Sequence, residues 1–88
     1  APEFALYQNT PNPWNAQTSI GFDLPKDAAV KLTIFDATGK VMKTLENQFK
    51  AGYNTIILNA HELTASGVMY YRLESGEYSA SKEMALVK

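Results

Sequence analysis

The sequence lacks most of the residues on which catalytic and metal sites depend. It has no cysteine and a single histidine, His61, among its 88 residues. Disulfide bonds, thiol catalysis and cysteine-ligated metals are therefore excluded, and any histidine-based triad would have to use His61. No apolar run approaches the ~18–20 residues that a membrane-spanning helix needs. The N-terminus has no signal-peptide pattern, so we expect a signal for export across the first membrane to lie upstream on a parent polypeptide.

Charge is also scarce and balanced. Eight lysine and arginine residues face nine aspartate and glutamate residues, which gives a net charge of −1. Such a chain has no basic surface to attract nucleic acid or anionic lipid. The hydrophobic fraction of 45% is typical of globular proteins, and a chain this short buries only about 60–65% of its unfolded surface. We expect one globular domain that spans residues 1–88.

Motifs for catalysis or metal binding are incomplete. His61 begins the zinc-protease pattern His-Glu-x-x-His, but the last position of that pattern is Ala65 here. No serine lies in Gly-x-Ser-x-Gly. Three aspartates match no calcium-loop spacing and fit strand or turn positions instead: Asp23, Asp27 and Asp36. We predict that the domain is not an enzyme, binds no metal and no cofactor, and carries His61 in an exposed turn.

Alternation of apolar and polar residues predicts β-strands through most of the chain. The predicted strands are 4–8, 18–24, 29–36, 41–46, 53–59, 67–74 and 78–87. Glycines mark tight hairpin turns at 36–40 and 75–77, and residues 60–66 suit at most one helical turn. Seven short strands at this spacing indicate an all-β fold, an immunoglobulin-like antiparallel β-sandwich.

The same alternation predicts which side chains face the core. In strand 67–74 a buried Arg72 would be costly, so its face, with Tyr70, should point outward. We expect Trp14, which follows two prolines, to cap one end of the sandwich. The predicted core consists of Ile20, Phe22, Leu24, Val30, Leu32, Ile34, Ile56, Leu58, Met69, Tyr71 and Leu73.

Exposed aromatic rings leave two other functions open. Carbohydrate-binding modules are often β-sandwiches that stack sugars on such rings, and Tyr70 is available for this. The domain could thus be a carbohydrate-binding or adhesive surface module. It could also be a structural linker domain that stiffens an extracellular enzyme, as fibronectin-type modules do.

A series of short motifs in order along the chain resembles one known family. It comprises Phe4-Ala5-Leu6, Pro11-Asn12-Pro13, Thr18 to Pro25, Ile34 to Lys40, Gly52, Ser66-Gly67-Val68, Tyr71-Arg72-Leu73 and Met84 to Lys88. Together they resemble the type IX secretion system C-terminal sorting domain (Por secretion system C-terminal sorting domain family, type A). The chain departs from that pattern at Trp14, Ala16, Met69 and Glu83. The last of these reverses a charge that is common in the family.

The resemblance implies a secretion address rather than an activity. A passenger domain N-terminal to this domain would reach the periplasm, and the outer-membrane type IX translocon would then recognise the folded domain. A surface sortase would remove it, leaving the passenger at the outer-membrane surface or in the extracellular space. An edge strand of the sandwich could be extended by a partner's main chain.

The final strand contains a conflict of pattern. Lys82 has the same parity as Met84 and Leu86, so a bulge between Ser81 and Glu83 would let both apolar residues face inward. Met84 to Val87 is apolar on both faces, which fits either a fully covered core strand or a surface offered to a partner. The translocon-recognition residues predicted on this basis are Gly67, Lys82, Met84, Ala85, Leu86, Val87 and Lys88.

Overall fold

A computed structural model describes residues 3–64 and 66–87. These residues form seven strands and one 3-10 turn, Ala60–Glu62. The strands are β1 (Ala5–Leu6), β2 (Gln17–Leu24), β3 (Ala28–Asp36), β4 (Val41–Phe49), β5 (Gly52–Asn59), β6 (Gly67–Ser75) and β7 (Tyr78–Leu86).

The strands form two antiparallel sheets. One has the order β1-β2-β5 and the other the order β4-β3-β6-β7. The predicted all-β sandwich is therefore confirmed, and most strand bounds agree within about two residues. Strand β4 runs to Phe49, three residues beyond the prediction. In the larger sheet β4 and β7 are the outermost strands, while β1 and β5 are outermost in the smaller one.

Both predicted hairpin turns are present. Asp36 closes the β3–β4 turn because its carboxylate accepts hydrogen bonds from the amides of Thr38 and Lys40 and from the Thr38 hydroxyl, at 2.9, 2.9 and 2.6 Å. These bonds, above all that from the Thr38 hydroxyl, lower the pKa of Asp36. Gly39 supplies the positive φ of 91° that this turn requires. The turn assigned to Asp36 from the sequence is confirmed.

The core lies between the sheets and contains ten of the eleven predicted residues. Tyr70, Arg72 and Val68 point outward as expected. The exception is Ile56, which is only half-buried. It lies on the outermost strand β5 and lines a groove beside Leu45 and Phe49 of β4, where the sandwich is open. Because β5 is an outermost strand, the Ile56 side chain is covered on one side by the core and is open to the groove on the other.

Strand β1 is much shorter than predicted because a side chain takes over its hydrogen bonds. The Tyr71 hydroxyl donates to the Tyr7 carbonyl at 2.8 Å and accepts from the Asn9 amide at 2.9 Å. The Tyr7 amide still donates to Gly21 of β2 at 2.9 Å. The strand is therefore interrupted at residues 7–9, and the chain meets β2 again at Thr10, which exchanges two backbone hydrogen bonds of 2.9 Å with Ser19.

The 3-10 turn places His61 on the surface, as predicted. Glu62 accepts a hydrogen bond from the Asn59 amide at 2.9 Å and lies 3.2 Å from the Lys43 ammonium of β4. Both interactions lower the pKa of Glu62, and the hydrogen bond from the Asn59 amide has the larger effect. The turn is therefore fastened to the sheet by the Glu62 carboxylate.

Candidate recognition surface at the end of the last strand

Strand β7 pairs with β6 in an unbroken register from Tyr78 opposite Ser75 to Leu86 opposite Gly67. The bulge predicted between Ser81 and Glu83 is therefore wrong. Lys82 does share the inward parity of Met84 and is half-exposed. Because β7 is the outermost strand, the Lys82 stem can lie along the core while its ammonium reaches water. Inward-pointing charges of this kind also discourage unwanted pairing at a sheet edge.

The predicted recognition residues fall into buried and outward groups. Met84 and Leu86 are core residues, each 1% exposed. Ala85 is half-buried on the other face, and the Val87 side chain is 58% exposed. Lys88 lies outside the described residues. Of the described tail, Val87 therefore offers most of the accessible side-chain surface.

Gly67 lies beside this end of the domain, and Lys82 does not. Gly67 pairs with Leu86 and begins β6 with a φ of 98°, a conformation that other residues adopt at a cost. A Cβ there would meet no atom within 4 Å, so the backbone conformation and not space requires glycine. Lys82 lies four residues before Leu86 on β7. At the usual rise per residue of a strand, this places Lys82 roughly 13 Å from Leu86.

A loop that sequence reasoning did not connect with this site covers the outer edge of β7. We call residues 8–15 the N-terminal clasp. The Trp14 amide donates to the Ala85 carbonyl at 3.0 Å, and the Val87 amide donates to the Trp14 carbonyl at 2.8 Å. The Ala85 amide donates to Asn12 Oδ1 at 3.0 Å, and Gln8 Nε2 donates to the Glu83 carbonyl at 2.7 Å.

Trp14 anchors the clasp in the core. It forms a parallel bridge with Leu86 and is 2% exposed, which confirms its predicted role as a cap. Its indole nitrogen has no hydrogen-bond partner in the part of the chain that the structure describes. The Trp14 ring is therefore buried although its N–H donor is left without a hydrogen bond, which is uncommon for a buried polar group.

Buried polar side chains hold the other end of the clasp. Asn9, 1% exposed, donates from Nδ2 to the Pro11 carbonyl and to Thr18 Oγ1, both at 3.1 Å. Thr18 in turn donates to the Pro11 carbonyl at 2.9 Å. The bonds before Pro11 and Pro13 are cis. The sequence signal for the clasp was the presence of asparagines near prolines, since asparagine side chains form hydrogen bonds readily with nearby backbone groups.

Tyr7, Tyr53 and Tyr70 do not form a flat sugar-stacking platform, and the one nearly parallel ring pair among the described residues is Tyr78 on Phe4, with ring centroids 5.2 Å apart and planes 15° from parallel. Tyr7 and Tyr53 lie 6.1 Å apart between ring centroids but are tilted by 52°. The Tyr7 hydroxyl donates to Asp23, and the Tyr53 ring lies over Gly21 of β2. Tyr70, on the other sheet, is separated from this pair.

No metal cluster is present among residues 3–64 and 66–87. A cavity of about 360 Å³ lies between residues 24–28 and 75–78, with Lys26 and Glu77 as its charged lining residues. Within residues 3–64 and 66–87, no group of three or more His, Asp or Glu side chains could hold a metal ion. In the same described ranges, no helix is long and apolar enough to cross a membrane.

Comparison with known proteins gives a family and distant likenesses among solved structures. Among solved structures, a β-glucosidase from Listeria innocua aligns with 96% of this chain and 16% of its own length, at 14% identity and a TM-score of 0.46. No curated protein matches the chain. The family model described as "Secretion system C-terminal sorting domain" matches residues 9–87, from the buried Asn9 of the clasp to the exposed Val87. The chain therefore belongs to the type IX secretion system C-terminal sorting domain family.

Proposed function

We propose that this domain directs a passenger protein through the outer-membrane type IX translocon and is then removed by a surface sortase. The family match over residues 9–87 carries the proposal, since it assigns the domain to a class of sorting signals rather than of enzymes. On this proposal the passenger lies N-terminal to the domain and crosses the periplasm on its way to the cell surface or the extracellular space.

The end of β7 is the part of the domain that we propose the translocon contacts. Among the described residues of the predicted site, Val87 has the most exposed side chain. Its backbone is fixed by the hydrogen bond to Trp14, so a partner would meet an ordered residue. An ordered surface loses little conformational entropy on binding.

Removing the whole tail would not test this proposal. Met84 and Leu86 are core residues, so deletion of Met84 to Lys88 would damage the sandwich itself. A single outward substitution is sharper. Val87→Arg places a charge on the proposed surface, and Val41→Arg is its matched control. Val41 is 52% exposed on β4, at the opposite edge of the same sheet. The two edge strands are about 14 Å apart at the usual strand spacing, and Val41 is level with Glu83 rather than with Val87.

The experiment uses residues 1–88 fused behind a fluorescent reporter with an ordinary export signal, in cells with and without the type IX machinery. We expect surface delivery of the parent and of Val41→Arg only when the machinery is intact. Val87→Arg should leave the reporter folded in the periplasm. Delivery without the machinery, or normal delivery of Val87→Arg, would contradict the proposal.

A further inference from the structure

The surface beside Val87 belongs partly to the clasp, at the other end of the chain. Resting on the proposed function, we infer that the secretion machinery reads a composite surface. It is formed by the exposed residues of the turn 11–15 together with the end of β7. The end of β7 alone would then be an incomplete signal. Asn15, which lies outside the recognition residues predicted from the sequence, would be a contact residue for the machinery.

The first step concerns the main chain of β7. Its outward amide and carbonyl groups near the C-terminus are already bonded to the clasp, as described for Glu83, Ala85 and Val87. A partner strand could not pair with this stretch while the clasp is in place. Recognition of the folded domain at this end must therefore use side chains and the outer surface of the clasp.

The second step concerns area. A specific interface buries about 800 Å² on each partner, far more than the outward side chains of Ala85 and Val87 can supply. Adjacent surface must contribute, and the residues of the clasp turn adjoin Val87 directly. Pro11, Pro13 and Asn15 are all exposed. The composite surface thus joins two segments that lie more than 70 residues apart in the chain.

The third step concerns the chemistry of that surface. A shallow depression of about 230 Å³ is lined by Pro11, Pro13, Trp14, Asn15 and Val87. None of these side chains is charged, so a partner gains nothing there from a charged group and would have to desolvate it. The depression fits an uncharged, apolar side chain presented by a protein subunit of the machinery. Proline rings forming its wall keep it rigid.

The test places a charge on the clasp side of the surface. Asn15 is exposed and makes no hydrogen bond within the described ranges, so Asn15→Arg and Asn15→Glu should leave the melting temperature unchanged. Gln48→Arg, on the exposed surface of β4, is the control for added charge. The readouts are surface delivery of the full reporter fusion and the melting temperature of the purified domain.

We expect both Asn15 variants to reduce surface delivery at least tenfold, with Gln48→Arg at the parent level. Normal delivery of the Asn15 variants while Val87→Arg is blocked would overturn the composite surface and leave the proposed function standing. Normal delivery of all of them would overturn both. A loss of delivery that merely follows a lowered melting temperature, or that Gln48→Arg shares, would also count against the composite surface.

Discussion

At the scale of single residues, Tyr71 joins the core to the clasp. Its ring is fully buried, and its hydroxyl serves as donor and acceptor between Tyr7 and Asn9. Burial raises the pKa of Tyr71 to about 12, although the hydrogen bond from the Asn9 amide works in the other direction. One oxygen atom therefore ends strand β1 and begins the turn towards the prolines.

Removal of that oxygen should be costly. Tyr71→Phe leaves the Tyr7 carbonyl and the Asn9 amide without partners, and we expect it to lower the free energy of unfolding by about 1–3 kcal/mol. Urea denaturation of the purified domain measures this. Tyr70→Phe is the control, since Tyr70 is 40% exposed on the same strand and should change stability little. Equal effects of the two variants would contradict the assigned role of the hydroxyl.

The same tyrosine should affect stability at high pH. An acid whose folded pKa is raised keeps its proton in the folded state after the unfolded chain has lost it, so stability falls as pH rises above about 10. We expect the fall between pH 10 and 12 to be shallower in Tyr71→Phe than in the parent. Unfolding midpoints at pH 8, 10 and 11 measure it, and identical slopes would refute it.

At the scale of elements, the clasp takes the place of a strand along β7. Asn12 supplies the acceptor for the Ala85 amide, so Asn12→Ala should expose that amide to water. We expect faster hydrogen exchange at Ala85 and Val87, and a loss of about 0.5–1.5 kcal/mol in unfolding free energy. Asn12→Asp, which keeps an acceptor oxygen, is the control. Unchanged exchange at Ala85 in Asn12→Ala would show that the bond does not protect this edge.

The 3-10 turn depends on the charge of Glu62. Because the folded-state pKa of Glu62 is lowered from its usual 4.5, its contribution to stability is present above that value and is lost as pH falls through the folded pKa. We expect Glu62→Gln to be less stable than the parent at pH 7 and nearly equal to it at pH 2–3. Glu46→Gln, at an exposed site on β4, should show no such convergence in urea titrations.

The pattern of side chains predicted the strands better than the site. Period-two alternation was enough for β2, β3 and β6, because each has one mainly apolar face that is buried in the core. It was not enough at Lys82, where the edge position of β7 removes the conflict that a bulge would have resolved. Nor could it reveal the clasp, since the hydrogen bond from Ala85 to Asn12 joins residues 73 apart. Such contacts depend on how the sheets pack, and no local pattern encodes them.

At the scale of the whole molecule, the proposed recognition surface exists only when the chain is folded. The clasp and β7 come from opposite ends of the sequence and meet because both sheets pack on one core. A signal read from the tail as an extended peptide would not depend on that packing. A composite signal would, so its delivery should follow the folded fraction of the domain.

Leu32→Ala separates these cases. Leu32 is fully buried in the central strand β3, away from the proposed surface, and its truncation should cost about 2–5 kcal/mol. That is a large share of the roughly 4–13 kcal/mol expected for 88 residues. We therefore expect surface delivery of the Leu32→Ala fusion to fall near the melting temperature of the variant and to recover on cooling, with Val41→Ala unaffected. Because an unfolded tail keeps its sequence, full delivery of Leu32→Ala above its melting temperature would mean that the machinery reads a linear signal.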